Sequence, residues 1–156
     1  MLLQGKRIAI FNIANKRSIA WAIAKSMDAQ GAHLVLGYQN ERTKDTVQEL
    51  SKELDHKPMA IVPCDVSFPE QIELVQDSIK DKAGTIHGLV HCLAFAPRES
   101  LQNAYLFTER ADFLTALEIS TYSLVALARA LTPVFSSQAS ISTLTYYGAE
   151  KVMPNY

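Results

Sequence analysis

The sequence predicts an α/β protein, a Rossmann-like doubly wound parallel sheet carried as far as its fifth strand. Three observations predict it. Short apolar runs rich in β-formers alternate with longer segments of helical spacing. The strand runs are apolar throughout rather than alternating with polar residues, which means burial on both faces. Right-handed crossovers between parallel strands then wind helices onto both sides of the sheet.

The elements follow in order. Arg7–Phe11 is the first strand, followed by a polar turn. Ser18 to Gln30 has helical spacing, with Ile19, Ala22, Ile23, Ser26 and Met27 expected on one side, and Gly31 fits its stop. Ala32–Leu36 is the second strand. Glu41–Leu54 is a charged surface helix turning Val47, Leu50 and Leu54 inward. Met59–Pro63 is the third strand, and Pro69–Lys82 a helix with proline in its first turn. Ile86–His91 is the fourth strand. Arg110–Val134 is a long helical stretch ended or kinked near Pro133. Ala139–Thr145 is the fifth strand. Leu93–Thr108 is the one long irregular stretch, and such loops in compact domains are often functional. No repeat or linker divides residues 1–156, so a single dinucleotide-binding domain is expected.

The totals exclude some classes. With 15 basic and 16 acidic residues, net charge −1, there is no sign of the concentrated basic surface that duplex binding needs. No apolar run is expected to cross a membrane. Met1–Arg7 has no apolar segment after its basic pair, so no secretion signal is read there. Cys64 and Cys92 lie in apolar strand-like stretches and read as reduced thiols of a cytoplasmic protein. No metal site is predicted.

In a doubly wound sheet, ligands bind beyond the carboxyl ends of the strands. The first end, Asn12-Ile13-Ala14-Asn15-Lys16-Arg17-Ser18, lacks the glycines that usually let backbone approach a pyrophosphate. The helix start after Ser18 still offers free amides and a positive dipole end; Ser18 can equally be a plain N-cap. The second end, Gly37-Tyr38-Gln39, has no acidic ribose holder and no adjacent arginine, Arg42 being the nearest, which favours NADH over NADPH. Asp65, after the third strand, is either a turn residue or a partner for an adenine edge. Tyr146, Tyr147 and Tyr156 follow the fifth strand. Tyr147 and Lys151 spell Y-x3-K, a possible acid and its tuning cation, although Pro154 breaks any helix there.

Five blocks together carry a family resemblance: Ile13–Ala24, Cys64–Val66, Ile86–Ala96, Ile119–Leu124 and Thr143–Tyr156. In register over almost the whole chain, they resemble bacterial NADH-dependent enoyl-(acyl-carrier-protein) reductases of type II fatty acid synthesis, within the short-chain dehydrogenases. The resemblance implies NADH-dependent reduction of trans-2-enoyl thioesters carried on acyl-carrier protein. It implies Tyr146 and Tyr156 as the catalytic tyrosines, Tyr156 stabilising the enolate oxygen. Asn12, Ile13, Ser18, Ile19, Gln39, Asp65, Val66, Cys92, Leu93, Ala94 and Thr145 fall on cofactor positions. Phe95, Ala96 and Leu101 fall on the acyl pocket. It also implies a homo-oligomer, a tetramer in the family.

Two departures stand out. Asn12 replaces a family glycine; asparagine is the non-glycine residue best able to reach positive φ, but its side chain could crowd the pyrophosphate. Ala94 also replaces a glycine. Further, the family's lysine and its sixth and seventh strands correspond to sequence beyond Tyr156, so the resemblance implies a domain incomplete at its C-terminus with an exposed edge on strand five. Two functional readings therefore compete: a reductase, and a catalytically inactive cofactor-binding or oligomerising remnant of that family.

Overall fold

The computed structural model describes residues 1–156. Its strands are β1 (Arg7–Phe11), β2 (His33–Tyr38), β3 (Ala60–Pro63), β4 (Ile86–His91) and β5 (Phe135–Thr143). Its helices are α1 (Ile19–Ala29), α2 (Glu41–Ser51), α3 (Pro69–Lys82), α4 (Arg98–Gln102), α5 (Arg110–Leu117) and α6 (Ser123–Leu131). All strand pairs are parallel, in the order β3-β2-β1-β4-β5. The order reverses between β1 and β4, so the ligand crevice of this topology opens between those two strands.

Alternation along β1 explains the two layers. Ala9 and Phe11 point to one face and pack with Val75 and Ile79 of α3 and Leu127 and Leu131 of α6. Ile8 and Ile10 point to the other, against Trp21 and Ala24 of α1 and Val47 and Leu50 of α2. Both faces are covered, as continuous apolar strands require. Gly37 has a steric reason: a Cβ there would collide with the Phe11 ring of the neighbouring strand.

Several expectations need correcting. The inward side of α1 is Ala20, Trp21, Ala24 and Asp28; Ile19, Ala22 and Ser26 are exposed. A count of apolar residues misplaces this face because it contains a buried carboxylate. Asp28 accepts from the amides of Asp55 (2.6 Å) and His56 (3.2 Å), and its Oδ1 lies 2.9 Å from His56 Nδ1. Those bonds replace the water it loses. Strand β2 runs past Leu36 to Tyr38, and β5 starts at Phe135 rather than Ala139. Polar Ser136, Ser137 and Gln138 hid the start of β5, which is half-buried or exposed along its length because it is the sheet edge in this chain.

The long helical stretch is not one α-helix. A π turn, Glu118–Tyr122, separates α5 from α6, and a 3₁₀ turn, Thr132–Val134, ends it at Pro133. Together, Arg110–Val134 make a 25-residue helical segment with a window of mean hydropathy 1.3, long and apolar enough to cross a membrane by length and composition. That corrects the expectation that no such segment exists. Here the segment packs Leu127 and Leu131 into the sheet core. The loop Leu93–Thr108 is also less irregular than expected: it holds α4 and a 3₁₀ turn, Tyr105–Phe107.

Candidate functional site

The carboxyl ends of β1 and β4 are tied by the residue that departs from the glycine pattern. Asn12 has φ +69°, the left-handed conformation a glycine would supply. Its side chain turns toward β4, where Nδ2 donates to the Cys92 carbonyl at 2.8 Å. Asparagine thus keeps the turn and adds a bond between the two strands that flank the crevice.

Beyond it, Ser18 caps α1. Its hydroxyl donates to the Asn15 carbonyl (2.7 Å) and accepts from the Trp21 amide (3.4 Å). The next two amides, of Ile19 and Ala20, have no protein acceptor and face a cavity. Open donors at the positive end of an 11-residue helix fit the phosphates of a dinucleotide. That cavity, about 320 Å³, is lined among others by Asn12, Ser18, Ile19, Cys92, Leu93, Ala94, Thr145 and Tyr146. A second cavity, about 170 Å³, shares Asn12, Leu93 and Ala94 with it and extends to Gln39, Asp65, Val66, Phe95 and Ile119. The two form one cleft crossing the strand ends. At the far end, Gln39 Nε2 donates to Asp65 Oδ2 (3.2 Å), while Asp65 Oδ1 accepts from the Ser67 amide (3.0 Å). Ile13 is different: its side chain is buried in the core and its amide donates to the Gly37 carbonyl at 3.2 Å.

A third cavity, about 320 Å³ and mostly apolar, lies beside this cleft. Phe95, Ala96, Leu101, Tyr105, Phe113, Leu117 and Tyr156 line it. Phe95 belongs to both spaces. Tyr146 borders the first cavity and Tyr156 the apolar one, yet their rings pack at 4.8 Å between centroids, tilted by 50°. The sequence reading thus placed Phe95, Ala96 and Leu101 around one space and the dinucleotide candidates around another. It missed Tyr105, Phe113, Leu117 and Ser120, whose only signal was their place in the loop and helix that follow β4. Tyr147 lines neither space; it opens a 3₁₀ turn, Tyr147–Ala149, and both it and Lys151 are exposed.

Beneath the cleft, His91 is 1% exposed. Its Nε2 lies 2.8 Å from Ser123 Oγ and its Nδ1 3.0 Å from Thr143 Oγ1. The Ser123 hydroxyl spends its proton on the Ile119 carbonyl (2.6 Å), so Nε2 carries the imidazole proton and Nδ1 accepts from Thr143. Burial pushes the His91 pKa down, favouring this neutral form. The thiols are also kept neutral: burial, with the Asp65 carboxylate beside it, raises Cys64 to about 12, and burial raises Cys92. Both cysteines are free, and neither offers a thiolate nucleophile near neutral pH.

A doubly wound sheet with an open helix N-terminus at the strand-order reversal and tyrosines after the fifth strand places the chain in the Rossmann-like α/β class. The family model "Enoyl-(Acyl carrier protein) reductase" matches residues 13–156, and the chain belongs to that family. It is 48% identical over 154 residues to the NADH-dependent enoyl-(acyl-carrier-protein) reductase of Bacillus subtilis, covering 99% of this chain and 60% of that one. A structure of the Bacillus cereus enzyme with NADP+ and an indole naphthyridinone superposes with a TM-score of 0.95 at 43% identity, over 99% of this chain and 60% of that one. The Anaplasma phagocytophilum enzyme in complex with NAD gives a TM-score of 0.94 at 40% identity, over 100% of this chain and 59% of that one. The chain spans about 60% of the length of the curated relatives it matches.

Proposed function

We propose that this chain is the cofactor-binding and tyrosine-bearing part of an NADH-dependent enoyl-(acyl-carrier-protein) reductase of type II fatty acid synthesis. The observation that carries the reading is the meeting of two spaces at one tyrosine pair. A polar-ended cleft runs from Gln39 and Asp65 to Tyr146, and an apolar cavity runs from Tyr156 past Phe95 to Leu101.

A reduced nicotinamide bound in the cleft supplies the hydride for the β-carbon of a trans-2-enoyl thioester. The chain's own residues do the rest. The amides of Ile19 and Ala20 hold phosphate oxygens at the start of α1. Gln39, oriented by Asp65, and Val66 border the adenosine end. Absence of an acidic ribose holder or neighbouring arginine at Gly37-Tyr38-Gln39 favours NADH, with Arg42 the nearest cation. Ala94, Thr145 and Cys92 line the nicotinamide side. Phe95, Ala96 and Leu101 give the acyl chain an apolar wall. The Tyr156 hydroxyl donates a hydrogen bond to the developing enolate oxygen, an interaction stronger in the transition state than in the substrate. Tyr146 packs on its ring and limits its motion.

The acyl group arrives on acyl-carrier protein, and the working assembly is a homo-oligomer in the cytoplasm. Exposed Phe113, Leu114, Leu117, Tyr122 and Val125 on α5, the π turn and α6 support self-association. The test is NADH oxidation with a crotonyl thioester, measured on the chain alone and with the C-terminal remainder of the Bacillus subtilis relative added. Turnover in either condition supports the reductase; no turnover in both, with NADH still bound, supports the cofactor-binding remnant.

A further inference from the structure

The π turn Glu118–Tyr122 interrupts a 25-residue helical segment directly behind the site. Such turns are rare and concentrate at functional positions. Ser120 within this turn and Ser123, the first residue of α6, both reach the end of β4 and the segment that follows: Ser123 bonds His91, and Ser120 bonds Phe95. The Ser120 hydroxyl accepts from the Phe95 amide at 3.0 Å and donates to the Phe95 carbonyl at 3.1 Å. One side chain therefore satisfies both backbone groups of one residue, as a neighbouring strand would.

No other hydrogen bond holds the backbone from Leu93 to Ala96. Packing holds Phe95 weakly, since it is 52% exposed. Yet Phe95 is the residue shared by the dinucleotide cleft and the apolar cavity. We propose that Ser120 is a positioning residue that clamps Phe95 as the partition between the cofactor cleft and the acyl cavity. This rests on the reductase reading for its catalytic consequence, but the clamp itself is a property of the fold. The π turn is fixed in its turn by Ser123 on buried His91 and on the Ile119 carbonyl. Losing the clamp frees the partition while leaving Gln39, Asp65 and the α1 amides untouched, so it disturbs alignment of the enoyl group and spares cofactor affinity.

Ser120→Ala and Ser120→Thr separate this role from a general structural one. In hydrogen exchange on the apo chain, the Phe95 amide exchanges about 10-fold faster in S120A and at close to the wild-type rate in S120T, because local protection follows the local bond. In NADH oxidation with crotonyl-CoA, kcat falls about 10-fold in S120A and returns to within about 2-fold in S120T, with the NADH Kd within about 2-fold throughout. Unchanged Phe95 exchange in S120A overturns the clamp whatever the activity. Faster exchange with unchanged kcat overturns the positioning role. An equal loss of NADH binding in both variants marks general damage and also overturns it. A wild-type chain that binds NADH without turnover, alone or complemented, sinks the reductase reading and the catalytic role with it, while the exchange result still decides the clamp.

Discussion

The two ends of the cleft are built differently. At the Gln39–Asp65 end, β1 and β2 are buried strands flanked by neighbours on both sides, and Leu34, Val35 and Leu36 are at most 2% exposed. The turn after β2 is fixed by a reciprocal cap, in which Asn40 accepts from the Thr43 amide and Thr43 Oγ1 accepts from the Asn40 amide, both at 3.2 Å. At the tyrosine end, β5 has a neighbour on one side only, and Leu144–Tyr156 is exposed apart from half-buried Gly148. Recognition of a cofactor needs a prepared surface. The tyrosine end is held by a few specific contacts: a tyrosine pair, a serine clamp and a histidine bridge.

If that contrast is right, a small change at the tyrosine end costs chemistry and little stability. On the proposed reductase reading, Tyr156→Phe removes the donor to the enolate oxygen and lowers kcat for a crotonyl thioester by about 10²–10³-fold, with NADH affinity and the unfolding midpoint unchanged. Equal losses of binding and stability would break the contrast. Next in size, Leu36→Ala empties a fully buried site and destabilises by about 2–5 kcal/mol in urea unfolding. Asn12→Ala places a Cβ residue without a side-chain donor at φ +69° and loses the bond to Cys92. It costs about 2 kcal/mol from strain and the lost bond together, whereas Asn12→Gly keeps the conformation and costs about half as much.

A pH series sharpens the comparison further. His91 has its folded pKa lowered by burial, so below its ordinary value of 6.5 the unfolded chain takes up a proton that the folded chain refuses. Stability therefore falls as pH drops through that range, until the folded value is reached. His87 shifts the same way, through burial and the Lys6 and Arg7 charges, and adds to the trend. The slope of stability between pH 5 and 7 should shrink in His91→Gln, as read by urea unfolding at each pH. Smallest of all, Leu144→Ala, at a site 46% exposed, changes stability by less than about 0.5 kcal/mol.

Much of this was legible from the chain because buried parallel strands have a strong signature. The apolar runs at Arg7–Phe11 and Ile86–His91 coincide with β1 and β4. The positive φ of Asn12 was expected from the resemblance, since Asn12 stands where the family has a glycine and asparagine is the non-glycine residue that best tolerates that conformation. The start of β5 was not, because Ser136–Gln138 lie on an edge where no apolar pattern is required. The face of α1 was misread because Asp28, a carboxylate, points inward to amides that are distant in sequence. The π turn left no trace, as one extra residue in a long apolar helix hardly disturbs its periodicity. Ser120 was therefore visible as a letter in a familiar block but not as a contact.

The chain's single tryptophan gives the contrast a spectroscopic consequence. Trp21 is fully buried on α1 and shares with Ile10, Ala24, Leu34 and Leu36 the core on the sheet face covered by α1 and α2. Its emission will be that of an indole shielded from water and will shift to the red only when that core opens. Fraying of β5 or of the tyrosine turn will pass unseen in this signal, while the Tyr146–Tyr156 ring pair reports on that region through near-ultraviolet dichroism. Melting curves recorded at the two wavelengths are thus independent clocks for the two ends of one cleft, and a gap between them measures how loosely the halves are coupled.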